Sequence, residues 1–384
     1  MDFLSAANLI QHVNALADTI GPRPAGSRAE MQARQYVRHA LTDAGVEIPA
    51  DVQRFTAPDT WGYALLAHAA VGAASNLMPK SLRKVGAVVT FLSAYWALQF
   101  ASGRRTPFSG LAASEDSANL LIRIPAKRRA RHKVVLIAHL DTNRHRISTS
   151  PQVRPYFRML TAAGITLGFA NAVAQWFGWN WLRKPTVLAL FSALPMVLLD
   201  ESGPFVAGAN DNASGVACLI GLGAAVNAEP MENTEVWLAF TGAEESGCHG
   251  IHHLLDAHRV ELANAYFIDL ERVGAGDIAY VTQHGSMSSL GGYRPDDESL
   301  GLAIRAARSH PELAVRGTSL AMSDEVGALR GQGFRAICLT GVSADGDPIR
   351  WAQANDTTQH IEPARLETAA RFALAMMKTL DESP

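Results

Sequence analysis

The chain has 384 residues, 48% of them hydrophobic, which is enough to bury the core of one large domain or two smaller ones. Its 34 Lys and Arg residues nearly balance its 36 Asp and Glu residues, so no global field would recruit nucleic acid, and we expect no nucleic-acid partner. The three cysteines, Cys218, Cys248 and Cys338, are too widely spaced for a disulfide framework or a cysteine-based zinc module.

The first 60 residues predict two helices. The N-terminus has neither a basic segment nor a long apolar segment, so we expect an amphipathic helix there rather than a cleaved signal peptide. Ser27 and Glu30 form a capping-box pattern, which predicts that a second helix begins here with Val37 and Leu41 on its buried stripe.

Two pairs of apolar stretches predict inserted helical hairpins over 61–102 and 158–199. The stretches are nearly free of charge and approach the roughly 17 to 25 residues of a membrane-spanning helix. One expectation is that the hairpins insert into a bilayer. The alternative is that they form a lid or a homo-oligomer interface in a soluble enzyme. Basic residues flank both ends of the hairpins, so the positive-inside rule gives no orientation. The predicted localisation is therefore membrane-associated or cytoplasmic.

The rest of the chain, 1–60, 103–157 and 200–384, is predicted to form one α/β domain. Two early strands, 117–125 and 132–138, flank a basic run that predicts a hairpin turn between them. From residue 205 onward, strands and helices alternate, which is typical of a three-layer sandwich with a mostly parallel central sheet. The predicted strands are 235–240, 265–271 and 335–342, and the predicted helices are 212–228, 249–258 and 298–309.

Acidic and imidazole side chains follow three of the predicted strands. His139 follows the first, Glu244 and Glu245 follow the second, and Glu271 ends the third. Because ligands bind outside the carboxyl ends of strands in open α/β sheets, we expect these side chains to converge at one edge. Asp211 lies in a glycine-flanked loop at a helix start, where it would either cap the helix or bridge two cations.

The spacing of these residues suggests different roles. Alternation places His139 and Asp141 on one face, so that the carboxylate can accept the imidazole proton while the other ring nitrogen binds a metal. Glu244 and Glu245 are adjacent and cannot point the same way, so one can bind metal while the other acts as general base. Glu271 and the acid two residues before it share a strand face, where a buried acid needs a partner or a cation. Together these residues predict a metallohydrolase site.

The combination of motifs resembles the M28 family of zinc-dependent peptidases, whose members are mostly aminopeptidases. The resemblance covers nearly all of the chain outside the two apolar insertions, and it rests on GPRPAGS (21–27), HLDT (139–142), GANDNASG (208–215), GAEESG (242–247), DLERVG (269–274), SDEVGALRGQGFRAICLTG (323–341) and DTTQHI (356–361). It implies a peptide substrate and zinc as cofactor. It also implies that His139 binds one zinc, Asp211 bridges two, Glu244 is the general base, Glu245 binds the second zinc and Glu271 completes the first site.

The chain departs from the family pattern at two positions. Glu271 stands where the family usually has Asp, and Ala352 stands where the family has the His that closes the second zinc site. A methyl group cannot bind metal, so the second site keeps only Asp211 and Glu245 unless His360 or water adds a ligand. The leading expectation is a one-zinc aminopeptidase. The alternatives are a membrane-associated family member with weakened or lost turnover, and another amide-directed reaction of the carboxypeptidase, deacylase or glutaminyl cyclase type.

Overall fold

The computed structural model describes residues 2–113, 115–150, 152–320, 322 and 324–383. Its strands belong to one mixed sheet, and their bounds are β1 Asp51–Ala57, β2 Glu115–Ile124, β3 His132–His139, β4 Thr234–Thr241, β5 Tyr266–Glu271, β6 Asp277–Gly285, β7 Gly292–Tyr293, β8 Arg316–Leu320 and β9 Arg335–Val342. Its α-helices are α1 Ala6–Asn14, α2 Arg28–Asp43, α3 Gly62–Ala74, α4 Arg83–Phe100, α5 Arg154–Phe177, α6 Asn180–Glu201, α7 Ser214–Ala228, α8 His249–His258, α9 Asp297–Ser309, α10 Glu325–Arg330 and α11 Pro363–Asp381.

The centre of the sheet is parallel and its edges are antiparallel. The strand order is β1-β2-β4-β3-β5-β9-β6-β7, with β8 paired to β6. Strands β4, β3, β5 and β9 run parallel, whereas β1, β2, β6 and β7 add antiparallel pairs on either side. The prediction of an α/β fold with a largely parallel central sheet is confirmed.

The predicted hairpin between β2 and β3 is wrong. Strand β4 lies between them and pairs with both, antiparallel to β2 and parallel to β3. The basic run after β2 contacts the segment that precedes β4, where Lys127 N donates to the carbonyl of Met231 and Lys127 Nζ lies 3.0 Å from Glu232. Two strands that are close in sequence therefore accept a third strand from far along the chain.

Helices cover both faces of the sheet. One face packs against α1, α2, α7, α9 and α11, through side chains that include Leu9, Val37 and Phe372. The other face packs against α8 and α10, through side chains that include Ile251 and Val326. The start of α2 is as predicted, because Ser27 Oγ accepts a hydrogen bond from Glu30 N at 3.2 Å.

The apolar stretches form a four-helix bundle. Helix α4 packs against α3 and α5, and α6 packs against α5 and α3, so that the four helices close into a ring. Helix α5 begins at Arg154 and α6 ends at Glu201, so this pair extends beyond the predicted 158–199 at both ends. The division into a peptidase domain and two insertions stays a prediction.

The interior of the bundle contains hydrogen-bonded polar side chains. Thr90 Oγ1 donates to Gln175 Oε1 at 2.9 Å, and Asn171 Nδ2 donates to Thr186 Oγ1 at 2.8 Å. All four side chains are buried. The outer surface is apolar instead, and most of the exposed large apolar side chains of the protein lie on it, including Val71, Val88, Phe91, Val173, Leu188 and Leu198.

Candidate metal centre

The ends of three parallel strands bring the predicted site residues to one edge of the sheet. His139 is the last residue of β3, the segment 242–245 follows β4, and Glu271 is the last residue of β5. Because β3 pairs with both β4 and β5, these ends are neighbours in space. Asp211 reaches the same point from the loop that precedes α7.

Three of these side chains form a compact ligand set. His139 Nε2 lies 3.3 Å from Asp211 Oδ1 and 3.4 Å from Glu271 Oε2. One potential ligand atom from each residue lies within 4.8 Å of the other two, and all three residues are buried. His139 Nε2 and Asp211 Oδ2 have no hydrogen-bond partner in the part of the chain that the structure describes. Buried polar atoms of this kind need a partner, and an imidazole with two carboxylates fits a divalent cation such as zinc.

Asp141 holds the segment that carries the two glutamates. Its carboxylate accepts hydrogen bonds from Glu244 N and Glu245 N, both at 2.9 Å. The predicted contact with the imidazole is longer, since His139 Nδ1 lies 3.5 Å from Asp141 Oδ1. Instead, Nδ1 pairs with the backbone carbonyl of Asp141 at 3.0 Å, which leaves Nε2 facing the ligand set. Glu30 supports the same segment, because its Oε1 accepts from Ala243 N at 3.1 Å.

Glu244 and Glu245 point to different partners. Glu244 Oε2 lies 4.0 Å from His139 Nε2, whereas the other carboxylate accepts a hydrogen bond from Asn143 Nδ2. Burial and the nearby charge of Glu271 raise the pKa of Glu244 to about 8, although His139 acts in the opposite direction. Burial also raises the pKa of Glu245 well above its ordinary range, and the charges of neighbouring carboxylates add to this effect. Both carboxyls therefore favour the protonated form until a cation arrives.

Position 352, where the resemblance leads us to expect a histidine, offers no metal ligand from its side chain. Ala352 is buried, and its backbone carbonyl accepts a hydrogen bond from Arg146 N at 3.1 Å. His360, the candidate substitute, pairs with Thr357 through Nδ1 at 3.1 Å, and among the described residues it belongs to no group of potential metal ligands. Glu245 can still share a cation with His139 and Glu244, because one ligand atom from each lies within 4.8 Å of the other two.

A buried arginine contacts two carboxylates of the ligand set, and the sequence interpretation missed it. Arg272 follows Glu271 directly, and its Nη1 contacts Glu271 Oε1 and lies 3.5 Å from Asp211 Oδ1. The side chain is 2% exposed, and its Nε and Nη2 atoms have no hydrogen-bond partner among the described residues. Burial opposes the charge of Arg272, but Glu271 and Asp211 outweigh it and raise the pKa of the guanidinium further. The signal available in the sequence was a basic residue directly after a strand that ends in Glu271.

The first apolar hairpin helps to enclose the centre. A small cavity of 50 Å³ is lined by Glu244, Glu271 and Arg272, and also by Trp61 and Phe100 from the hairpin. This volume holds only a few water molecules. The second hairpin is tied to the same region through Arg146, which donates to Glu201 at 2.6 Å and to Asn143 Oδ1 at 2.9 Å.

A second buried polar cluster lies near the ligand set. Ligand atoms of Asp269, Asp324 and Cys338 lie within 4.8 Å of one another, and His284 Nδ1 is 3.0 Å from Asp324 Oδ2. Burial raises the pKa of Asp269 well above its ordinary range, and the charge of Glu271 adds to it. The carboxyl of Asp269 therefore favours its neutral form in the absence of a cation. Cys338 is free, as predicted, but it adjoins acids rather than only apolar side chains.

Comparison with known proteins identifies relatives of this architecture. Residues 119–377 match the sequence profile described as Peptidase family M28. A comparison with curated proteins gave no match. Among solved structures, the chain is similar to BSAP, a zinc aminopeptidase from Bacillus subtilis, with a TM-score of 0.59 and 15% identity over 97% of this chain and 94% of that one.

Two further solved structures show the same degree of likeness, and both come from Bacteroides thetaiotaomicron. A leucine aminopeptidase precursor has a TM-score of 0.59 and 16% identity over 98% of this chain and 97% of its own. A glutaminyl cyclase bound to N-acetylhistamine has a TM-score of 0.59 and 15% identity over 98% of both chains. At such identities, the likeness to these structures establishes the fold alone.

Proposed function

This chain belongs to peptidase family M28, and from that premise we propose that it hydrolyses an amide bond with one bound zinc ion, most simply as an aminopeptidase on peptide substrates. The observation that carries the proposal is the buried set of His139, Asp211 and Glu271, in which one potential ligand atom of each residue lies within 4.8 Å of the other two. Among the described residues, His139 Nε2 and Asp211 Oδ2 have no hydrogen-bond partner. Three protein ligands and an open position are typical of a catalytic zinc site.

Each residue has a defined task in this proposal. His139, Asp211 and Glu271 would hold the zinc, which when bound acts as a Lewis acid toward a carbonyl and lowers the pKa of water. Glu244 is the general base, because its carboxylate is close to the ligand set without belonging to its tightest triad. Asp141 orients both glutamates through their backbone N–H groups.

Arg272 supports a single zinc rather than two. Its guanidinium supplies a fixed positive charge beside Asp211 and Glu271, which reduces the net negative charge that would otherwise attract a second cation. Glu245 is already hydrogen-bonded to Asn143, and Ala352 offers no ligand. We propose that the second site is incomplete for these reasons.

Hydrolysis of aminoacyl anilides by the purified protein tests the activity. We expect turnover that falls by about 10²- to 10⁴-fold in Glu244→Gln, which keeps the size of the side chain but removes the base. The zinc content of Glu244→Gln should match that of the unchanged protein. Absence of turnover in a zinc-loaded protein would contradict the peptidase proposal and favour a binding role, for which Ala352 is the argument.

The second candidate reaction is cyclisation of an N-terminal Gln, because a glutaminyl cyclase is among the structures with this fold. The cavity of 50 Å³ at the centre is small, which favours a compact reacting group. Peptides with an N-terminal Gln distinguish the two reactions. Release of ammonia with retention of the whole peptide would indicate cyclisation, and release of free Gln would indicate an aminopeptidase.

We also propose that the four-helix bundle is embedded in a lipid bilayer. Helices α5 and α6 have 24 and 22 residues and are apolar enough to cross a membrane by length and composition. At 1.5 Å per residue they span about 36 and 33 Å, close to the roughly 30 Å of a bilayer core. Membrane bundles associate through small residues and interhelical hydrogen bonds while apolar side chains face lipid. The buried pair Thr90 and Gln175 and the exposed Phe91 and Leu188 follow that arrangement.

Extraction of the native protein tests the bilayer. We expect it to sediment with membranes, to require detergent for release and to resist alkaline carbonate. Triple substitution of Phe91, Leu188 and Leu198 by Glu should release it into the soluble fraction. A native protein that stays monodisperse without detergent would contradict the proposal, and a detergent-free dimer or higher oligomer would assign the same surface to a second copy.

A further inference from the structure

An apolar chamber lies inside the four-helix bundle, next to the metal centre. Its volume is 420 Å³, within the range of roughly 300 to 1,000 Å³ of small-molecule sites. Its walls are almost wholly apolar and come from all four helices, including Leu65, Ala94, Ile165 and Leu194.

A thin wall separates the chamber from the cavity at the metal centre. Trp61 lines both spaces. Phe157 lines the chamber, and its ring lies edge-on to Trp351, which lines the cavity, with centroids 6.0 Å apart. The indole of Trp61 packs against the guanidinium of Arg146, 4.2 Å from its ring centroid. Trp61 therefore lies between the two spaces.

Two features of the chamber point to a bound molecule with one polar end. Ser148 Oγ and His68 Nδ1 are buried without a hydrogen-bond partner, and both residues line the chamber. Leu160 also lines it and is 56% exposed, so the chamber reaches the outer surface of the bundle. A molecule from a surrounding bilayer would enter by that side.

We infer that the chamber binds a long, unbranched hydrocarbon chain of the substrate, attached close to the amide carbonyl that reaches the metal centre. This inference rests on the proposed amide hydrolysis and names its substrate class. The cavity at the centre is too small for more than the reacting group, whereas the chamber beside it provides an apolar volume and two polar atoms at its wall. The substrate is thus an amide with a lipid-like chain.

Binding of straight-chain fatty acids tests the chamber without turnover. The full chain carrying Glu244→Gln is used, at one detergent concentration so that partitioning into micelles is the same for every variant. From hexanoate to dodecanoate, we expect the dissociation constant to fall about fourfold for each added methylene, which corresponds to about 0.8 kcal/mol. A dissociation constant that does not change with chain length would overturn the inference.

A variant that fills the chamber is compared with a variant that places the same ring outside it. A Cβ on Gly164 would meet no atom within 4 Å, and Gly164 lines the chamber, so Gly164→Phe should fill it without a backbone clash. Thr166→Phe places the same ring on an exposed position of α5. We expect Gly164→Phe to lose the dependence on chain length and Thr166→Phe to keep it.

A second filling variant, Ala69→Leu on α3, covers the case in which Gly164→Phe fails to fold. If dodecanoate binds both filling variants as tightly as the parent, the chain lies elsewhere and the inference is wrong. Turnover of a short alanyl anilide by the zinc-loaded parent is measured separately. Absence of turnover would contradict the proposed function. The binding series would still show whether the chamber binds a hydrocarbon chain.

Discussion

The buried ion pair between Arg146 and Glu201 connects the helical bundle to the metal centre. The side chains are 1% and 5% exposed, and Arg146 Nη1 donates to Glu201 Oε1 at 2.6 Å. The same guanidinium donates to Asn143 and to Thr60 Oγ1. Because Asn143 in turn donates to Glu245, this one arginine orients both the end of α6 and a residue of the site.

Arg146→Met removes the charge while keeping an apolar chain of comparable length. It leaves the carboxylate of Glu201 buried without its partner, and breaking a buried pair in this way costs about 3 to 5 kcal/mol. Among the described residues Glu201 Oε2 has no hydrogen-bond partner, and Arg144 Nε lies 4.0 Å from it, too far to replace the hydrogen bond that is lost. We expect the free energy of unfolding to fall by that amount.

Chemical denaturation followed by tryptophan fluorescence measures the change, with Glu201→Gln and the double variant as controls. Removing both charges leaves no unpaired ion, so the double variant should recover about 2 kcal/mol or more relative to the sum of the single variants. A loss below about 1 kcal/mol for Arg146→Met, or strict additivity in the double variant, would refute the reasoning.

Three further predictions concern the metal centre and its support. Ala352→His combined with Arg272→Met should raise the zinc content measured by mass spectrometry from one to two per chain, and a content that stays at one would contradict the role given to Arg272. Asp141→Asn should lower the hydrolysis of aminoacyl anilides by roughly 10- to 100-fold at unchanged zinc content, since it loosens the segment that carries Glu244, and an unchanged rate would contradict that role. Burial raises the pKa of Glu30 from 4.5 to about 8, so the folded protein keeps a proton that the unfolded chain releases. Glu30 should therefore contribute a fall in the stability of the metal-free protein of roughly 1.4 kcal/mol per pH unit between pH 5 and 8, in addition to the fall contributed by the other buried carboxyls. Glu30→Gln should flatten this slope in denaturation curves, and a stability that rises with pH would contradict it.

The strands that carry the ligands could be predicted because each is a local pattern. The apolar runs before His139 and at the strand that ends in Glu271 lie within β3 and β5, and a helix follows the Asp211 loop as expected. The convergence of these residues also follows from the general rule for strand ends. Sequence reasoning therefore predicted that these side chains lie at one edge of the sheet, whereas their roles stay a prediction.

Contacts between distant segments could not be read from local patterns. Strand β4 lies between β2 and β3, and the basic run that joins those two strands in sequence does not predict this insertion. The roles of Arg272 and Trp61 depend on which carboxylates and cavities adjoin them in the folded chain. The hairpin helices were recognised by composition, but their closure into one bundle depends on buried pairs such as Thr90 and Gln175.

The zinc content of the purified chain tests the central claim most directly. Mass spectrometry of protein prepared without chelators should find one zinc per chain, and His139→Ala should lose it. His310→Ala is the control, because the side chain of this histidine is 43% exposed and pairs with Glu312. A native chain without zinc, or a His139→Ala variant that keeps its zinc, would show that His139, Asp211 and Glu271 do not form the metal centre.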